Sequence, residues 1–244
     1  MINPKKSLGQ NFLLDKNICN KIINLIEIKN KNIIEIGPGT GNLTDKIIKL
    51  NPKRLIIIEK DNLLSKELKK KYQNYSNIVI INKDCLKIDF TKYNNFCFIS
   101  NLPYNLSTKI ILKLIKDLNN ENKMIFMIQK EVAKKFNYNF NKKLNKYNFI
   151  ISTLTKFKEE FNISNKVFYP KPKIQSTIIS IQLNINIDLK DKLLDFSNFI
   201  FKNKRKKLKN NIKNTFNDTK CIKILDQRVE NLKPSELLYL FNKF

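Results

Sequence analysis

The sequence predicts an α/β fold, a doubly wound parallel sheet followed by a small α-helical domain. Three observations carry this expectation. Short apolar strands alternate with amphipathic helices between residues 32 and 128, the pattern of repeated strand–helix–strand units. A glycine-rich turn follows the first of these strands without a break. Beyond about Asn184 the alternation stops and helical periodicity takes over, which divides the chain into residues 1–184 and 185–244.

Taken in order, Asp15 is placed to cap a helix reaching about Ile26, with Ile18, Ile22, Leu25 and Ile26 on one face. Residues 32–36 form a short apolar strand. It runs into Gly37-Pro38-Gly39-Thr40-Gly41 and then a helix carrying Leu43, Ile47, Ile48 and Leu50. A buried-type strand over 54–58 ends at Glu59, and the next helix carries Leu63, Leu64 and Leu68. A third strand over 78–81 ends near Asp84, and a fourth over 96–100 ends at Asn101. Ser107 is placed to cap a helix with Ile110, Ile111, Leu114, Ile115 and Leu118, before a fifth strand over 124–128. Residues 134–149 are rich in Lys and Asn and carry no clear period. Residues 176–183 alternate and read as a late strand, and residues 189–201 as an amphipathic helix. There are no internal repeats.

Composition narrows the class. With 42% hydrophobic and 28% charged residues, the chain reads as globular. Its apolar runs fall short of the ~18 residues a bilayer span needs, and its start lacks the apolar region of a secretory signal. Cys19, Cys85, Cys97 and Cys221 are scattered, with no CxxC pair. They read as reduced thiols in a cytosol-like compartment, not as a zinc site. The net charge of +26 is almost all lysine, since Arg54, Arg205 and Arg228 are the only arginines. Lysine, asparagine and isoleucine all have AT-rich codons, so drift explains part of the excess; a phosphate-bearing partner explains the shortage of acids. Only four glycines remain, Gly9, Gly37, Gly39 and Gly41. A chain of this length ordinarily holds about four times as many. Those left mark backbone that tolerates no Cβ.

Two constellations bear chemistry. A strand–GPGTG–helix unit lets bare backbone approach a ligand at a helix start, although a tight turn alone also explains it. Glu59 ends the next strand about twenty residues on, where an acid meets ribose hydroxyls. Asp84 follows the third strand at the same kind of position, as a ligand contact or a simple turn acid. The sharper motif is Asn101-Leu102-Pro103-Tyr104. A base amine needs acceptors for its N–H bonds and a flat partner for its ring. Asn101 Oδ1 and the Leu102 carbonyl can accept, and Tyr104 can stack.

With these residues assembled, the chain resembles the ribosomal RNA adenine dimethyltransferases, in particular their bacterial small-subunit branch. The marks are Lys6-Ser7-Leu8-Gly9-Gln10-Asn11-Phe12-Leu13, Glu35-Ile36-Gly37-Pro38-Gly39-Thr40-Gly41, Asn101-Leu102-Pro103-Tyr104, Gln129-Lys130-Glu131-Val132-Ala133 and Phe168-Tyr169-Pro170-Lys171-Pro172-Lys173. The resemblance spans nearly the whole chain. It implies a Rossmann-like methyltransferase domain with a small C-terminal helical domain that binds rRNA or the subunit. It implies S-adenosyl-L-methionine as cofactor and two adjacent adenines near the 3′ end of small-subunit rRNA, within the small ribosomal subunit, as substrate. It implies that Asn11, Leu13, Gly37, Glu59, Asp84 and Asn101 hold the cofactor, with Gly39 in the same loop. It also implies that Phe168 pairs with Tyr104 on the flipped base. A cytoplasmic monomer with no membrane partner and no metal is expected.

The chain departs from the family pattern in a few places. Lys204-Arg205-Lys206-Lys207-Leu208-Lys209-Asn210 replaces an arginine-rich segment; it keeps the charge but loses the planar fork. Those lysines read equally as a solvated helix face. Gln175 stands where an acid is common. Two rivals remain: the large-subunit rRNA methyltransferase of the macrolide-resistance type, and a non-catalytic binding relative. An intact Asn101-Leu102-Pro103-Tyr104 argues against the second.

Overall fold

The apolar runs between Asn32 and Gln129 form the parallel part of a seven-stranded sheet. The computed structural model describes residues 4–5, 9–119, 122–138, 143–184, 187–212 and 218–243, with 187 and 188 as backbone alone. The first three residues of the Lys6-Ser7-Leu8 motif, part of the unassigned 134–149 stretch and the boundary residue 185 lie outside the described residues. Two units are distinguished: residues 1–133 with 158–183, and residues 134–157 with 184–244. The sequence-based division at 184/185 leaves 134–157 with the first part.

In the first unit, β1 (Phe12–Leu13) leads into α1 (Lys16–Ile23). Asp15 caps α1 through its carboxylate, which accepts from the Asn17 and Ile18 N–H groups at 2.8 and 2.9 Å. The helix ends three residues before the expected Ile26. Then follow β2 (Asn32–Ile36), α2 (Thr44–Ile48), β3 (Arg54–Glu59), α3 (Asn62–Lys71), β4 (Ile78–Asn82), β5 (Phe96–Asn101), α4 (Ser107–Asp117), β6 (Lys123–Gln129) and the start of α5 (Lys130–Phe136). Ser107 is the first residue of α4, and its hydroxyl makes no cap bond there; it donates to the Tyr104 carbonyl at 3.3 Å. The turn before α4 is closed instead by the Pro103 carbonyl, which accepts from Leu106 and Ser107 N–H groups at 3.0 Å each.

The sheet order is β4-β3-β2-β5-β6, then β9 (Ser176–Leu183) and the edge strand β7 (Thr155–Ile163). The β2, β3, β4, β5 and β6 pairings are parallel. Residues 33–36 of β2 are buried, as a central strand covered on both faces requires. The late strand, β9 (Ser176–Leu183), runs antiparallel to β6, from Lys123↔Gln182 to Gln129↔Ser176. The wholly parallel sheet expected from alternation is therefore mixed, because alternation reports which faces are buried and not which way a strand runs. β7 (Thr155–Ile163) and the two-residue β8 (Phe168–Tyr169) were not legible as strands; β8 pairs antiparallel with β1.

The second unit is helical in its described part. α6 (Lys146–Leu154) opens on an Asn145 capping box. α7 (Ile187–Ile200) and α9 (Pro234–Phe241) pack on α6, and α8 (Thr219–Leu225) packs on α9. The Phe196 and Phe241 rings lie 5.3 Å apart. Residues 204–210 form a turn and a short 3-10 helix rather than an α-helical face. Their lysines are exposed, and Lys207 and Lys209 share Asp226 at 3.1 and 2.7 Å. No helix among the described residues is long and apolar enough to cross a membrane.

Candidate active site

Parallel pairing brings the carboxyl ends of β2, β3, β4 and β5 to one edge of the sheet. The chain steps outward from β2 to β3 to β4, then returns to the other side of β2 as β5. Such a reversal leaves a crevice beyond the strand ends. A cavity of about 220 Å3 lies there. Asn11, Leu13, Gly37, Gly39, Glu59, Asp84, Asn101, Leu102 and Tyr104 all line it.

The glycine loop is shaped by backbone that side chains oppose. All four glycines have positive φ, from 60° to 86°. At Gly39 a Cβ would sit 2.7 Å from Phe12 Cδ1, so the Phe12 ring closes directly over bare backbone. The loop is anchored by the Gly37 N–H on the Ile58 carbonyl at 2.8 Å. Asn42 ties β1 to it, donating from Nδ2 to the Leu13 carbonyl at 2.7 Å.

Three acids stand around this loop in different states. Glu59 is 6% exposed and its Oε1 accepts from the Asp61 N–H at 2.7 Å. Burial raises its pKa, opposed first by that backbone bond. Asp84 pairs with Lys60 at 2.9 Å and accepts from the Leu86 N–H at 3.0 Å. The Lys60 ammonium holds its carboxyl below the usual range, so it stands ionised. Asp84 thus closes a turn and faces the cavity at once. Glu35 is buried, accepts from the Thr44 hydroxyl at 2.6 Å, and is pushed up to about 8 by its burial.

At the end of β5, Asn101 Nδ2 donates to the Asn11 carbonyl at 2.9 Å. That bond assigns the amide, so Oδ1 is the acceptor left to a ligand. The Leu102 carbonyl sits between two fixed points. The Leu102 N–H bonds the Met127 carbonyl at 3.1 Å, and the Pro103 carbonyl takes the two bonds at the start of α4. Ser100 Oγ donates to the Ile36 carbonyl and ties β5 to β2 at the same level. The Tyr104 hydroxyl meets Ser176 Oγ at 2.6 Å. Acceptors for an amine's protons, a flat ring and bare loop backbone therefore face one space: Asn101 Oδ1 and the Leu102 carbonyl offer the acceptors, and Tyr104 offers the ring.

Phe168 lies apart from the cavity lining. It is 4% exposed and packs in one core cluster with Leu13, its partner across the β1–β8 pair. Several participants were missed by sequence reasoning. Asp61 caps α3 and holds Lys5 at 2.7 Å, and its position before an apolar helical run was a readable cap signal. Asn42 and Ser176 had no such signal, since each acts on a residue far away in the chain.

Comparison with known proteins gives a family. The family model for ribosomal RNA adenine dimethylase matches residues 1–243. A ribosomal RNA small subunit methyltransferase A from Malacoplasma penetrans (strain HF-2) is 38% identical over 249 residues, covering 96% of this chain and 89% of its own. A solved dimethyladenosine transferase from Plasmodium falciparum superposes with a TM-score of 0.75 at 28% identity, over 95% of this chain and 98% of that one. The solved 23S rRNA methyltransferase ErmE gives a TM-score of 0.73 over 95% and 98% of the two chains, but at 19% identity that likeness is one of fold alone.

Proposed function

We infer the function from one premise: this chain belongs to the ribosomal RNA adenine dimethylase family. It is an S-adenosylmethionine-dependent methyltransferase that dimethylates N6 of adenine in small-subunit rRNA. Two adjacent adenines near the 3′ end, presented within the small ribosomal subunit, are the proposed substrate. The chain acts as a cytoplasmic monomer in this reading, and residues 185–244 bind the rRNA or the subunit. The relatives' names support the small-subunit assignment over the large-subunit one.

The residues of the cavity fit the cofactor. Gly37 and Gly39 line the cavity, and their positive φ turns the loop backbone along its wall, where a ligand can meet it. Glu59 and Asp84 offer carboxylates, one suited to ribose hydroxyls and the other to an amine. Asn11, Leu13 and Asn101 complete the proposed cofactor set. S-adenosylmethionine supplies a methyl group activated on a positively charged sulfur.

The orientation of the Asn101 amide carries the chemistry. With Nδ2 committed to Asn11, Oδ1 accepts one N6–H bond, and the Leu102 carbonyl accepts the other. Both bonds turn the nitrogen lone pair out of conjugation with the ring and toward the methyl. Tyr104, held by Ser176, stacks on the base; Phe168, directly across the β1–β8 pair from Leu13, is the proposed second ring. The chain contains no histidine, and none is required. Once methylated, the nitrogen is acidic enough to release its proton to water. Positioning does most of the work.

Tritiated S-adenosylmethionine offered with unmethylated small subunits, large subunits or free RNA tests the assignment. Label is expected on adenine N6 of the small subunits; labelling of large subunits alone would overturn it. In single turnover, Asn101→Ala should slow transfer on the order of a hundred-fold. The wild-type rate should lack a histidine-like inflection near pH ~6.5. A near-normal rate in the variant removes Asn101 from the chemistry.

A further inference from the structure

The Phe168–Tyr169 strand presents two aromatic rings in opposite directions. Pairing of β1 with β8 sets Phe12 across from Tyr169 and Leu13 across from Phe168. Residues paired in an antiparallel ladder project to the same face, and neighbours along a strand to opposite faces. Phe168 and Leu13 go into one core cluster. Phe12 is on the other face, its ring on Gly39 in the cavity wall. Tyr169 shares that face and yet is 52% exposed. Leu14, two residues from Phe12, is 54% exposed, and its N–H bonds the Val167 carbonyl at 2.9 Å, so it extends the same ladder. A flat aromatic surface with an aliphatic neighbour thus stands in solvent beside the cavity wall. Lys171 and Lys173 follow at once, both exposed, and neither forms an ion pair among the described residues.

We propose that Tyr169 is a stacking platform for the nucleotide adjacent to the adenine being methylated, with Lys171 and Lys173 on its phosphates. This rests on the RNA-methylation reading above. Drawing a base into a pocket unstacks it from its neighbours and leaves their faces bare. An exposed ring flanked by cations is the combination that holds unpaired nucleotides. Charge complementarity with two ammonium groups that no ion pair among the described residues neutralises selects a polyanion over a neutral protein surface. When one adenine of an adjacent pair occupies the cavity, the other is the nucleotide presented to Tyr169. The platform therefore favours a target adenine whose neighbour is a purine, which has the larger stacking face.

The test uses the full chain. Tyr169→Ala should raise KM for unmethylated small subunits about ten-fold, the scale of one lost stacked base. At saturation kcat should stay within about two-fold, as should the Kd for S-adenosylmethionine, because Tyr169 touches neither reacting group. Tyr169→Trp should restore the wild-type KM. The chain has no tryptophan, so that variant also carries a single reporter ring. Its emission should be quenched by an RNA oligonucleotide containing the adjacent adenines. The quench should fade when either adenine is replaced by an abasic residue. An unchanged KM in Tyr169→Ala, a Trp variant as impaired as the Ala variant, or a quench indifferent to the abasic replacement overturns the proposal. Absence of wild-type transfer to small subunits would instead overturn the functional reading beneath it.

Discussion

Replacing Gly39 with alanine measures how closely the cofactor loop is built against β1. Two costs are expected. The first is conformational: φ is +60° at Gly39, and holding an L-residue there costs about 1–2 kcal/mol. The second is steric. The new Cβ would lie 2.7 Å from Phe12 Cδ1 and 3.0 Å from Cε1, against ~3.5–4.0 Å for a comfortable carbon contact. Phe12 is itself buried at 6% exposure, and its neighbour Leu13 is tied to Asn42, so the ring has little room to retreat. Overpacking of this kind costs roughly 1–3 kcal/mol. Gly37→Ala is the internal control. Its φ of +65° carries the same conformational cost, but its Cβ would meet Pro103 only at 3.7 and 3.8 Å, ordinary contact. The two variants should therefore differ by about 1–3 kcal/mol, or roughly 2–12 °C in Tm for a chain of this size. Differential scanning calorimetry without cofactor reads this directly. Adding Phe12→Ala to Gly39→Ala should recover part of the loss, a non-additivity expected of touching residues. Equal Tm values for the two glycine variants, or purely additive behaviour with Phe12→Ala, would refute the packing argument.

Two further predictions follow from the acids. Glu59→Ala should weaken S-adenosylmethionine binding about ten- to a hundred-fold, the worth of hydrogen bonds to a charged group; titration calorimetry with an unchanged Kd would remove Glu59 from the site. Glu35 has its pKa raised from 4.5 to about 8 by burial, so the native state keeps a proton that the unfolded state releases. Its contribution to stability is fully present below about pH 4.5 and is lost as pH rises toward 8. The unfolding free energy of the wild type, from denaturant titration, should consequently fall relative to Glu35→Gln across that window, by up to about 1.4 kcal/mol per pH unit. Parallel pH profiles for the two proteins would mean that Glu35 is ionised in the native state.

Local signals in the chain determined the strand–helix alternation, the Asp15 cap and the glycine turn. They also placed Glu59, Asp84 and Asn101 at strand ends. Each of these is written in a short window, as an apolar period, a capping side chain or a residue type that only one backbone conformation accepts. The glycine scarcity was informative for the same reason, since all four survivors occupy positive φ. Tertiary structure alone decided the rest. The direction of β9 is a pairing choice among strands that all read alike. The short β1–β8 ladder is too brief to leave a period, yet it puts Phe168 in the core and Tyr169 in solvent. Asn101 is oriented by a carbonyl 90 residues away, and Tyr104 by a serine 72 residues away. A hydrogen bond between distant residues depends on where the sheet places two strand ends. No spacing in the sequence encodes that distance, so the hold of the Asn11 carbonyl on Asn101 and of Ser176 on Tyr104 became visible only when the chain was folded.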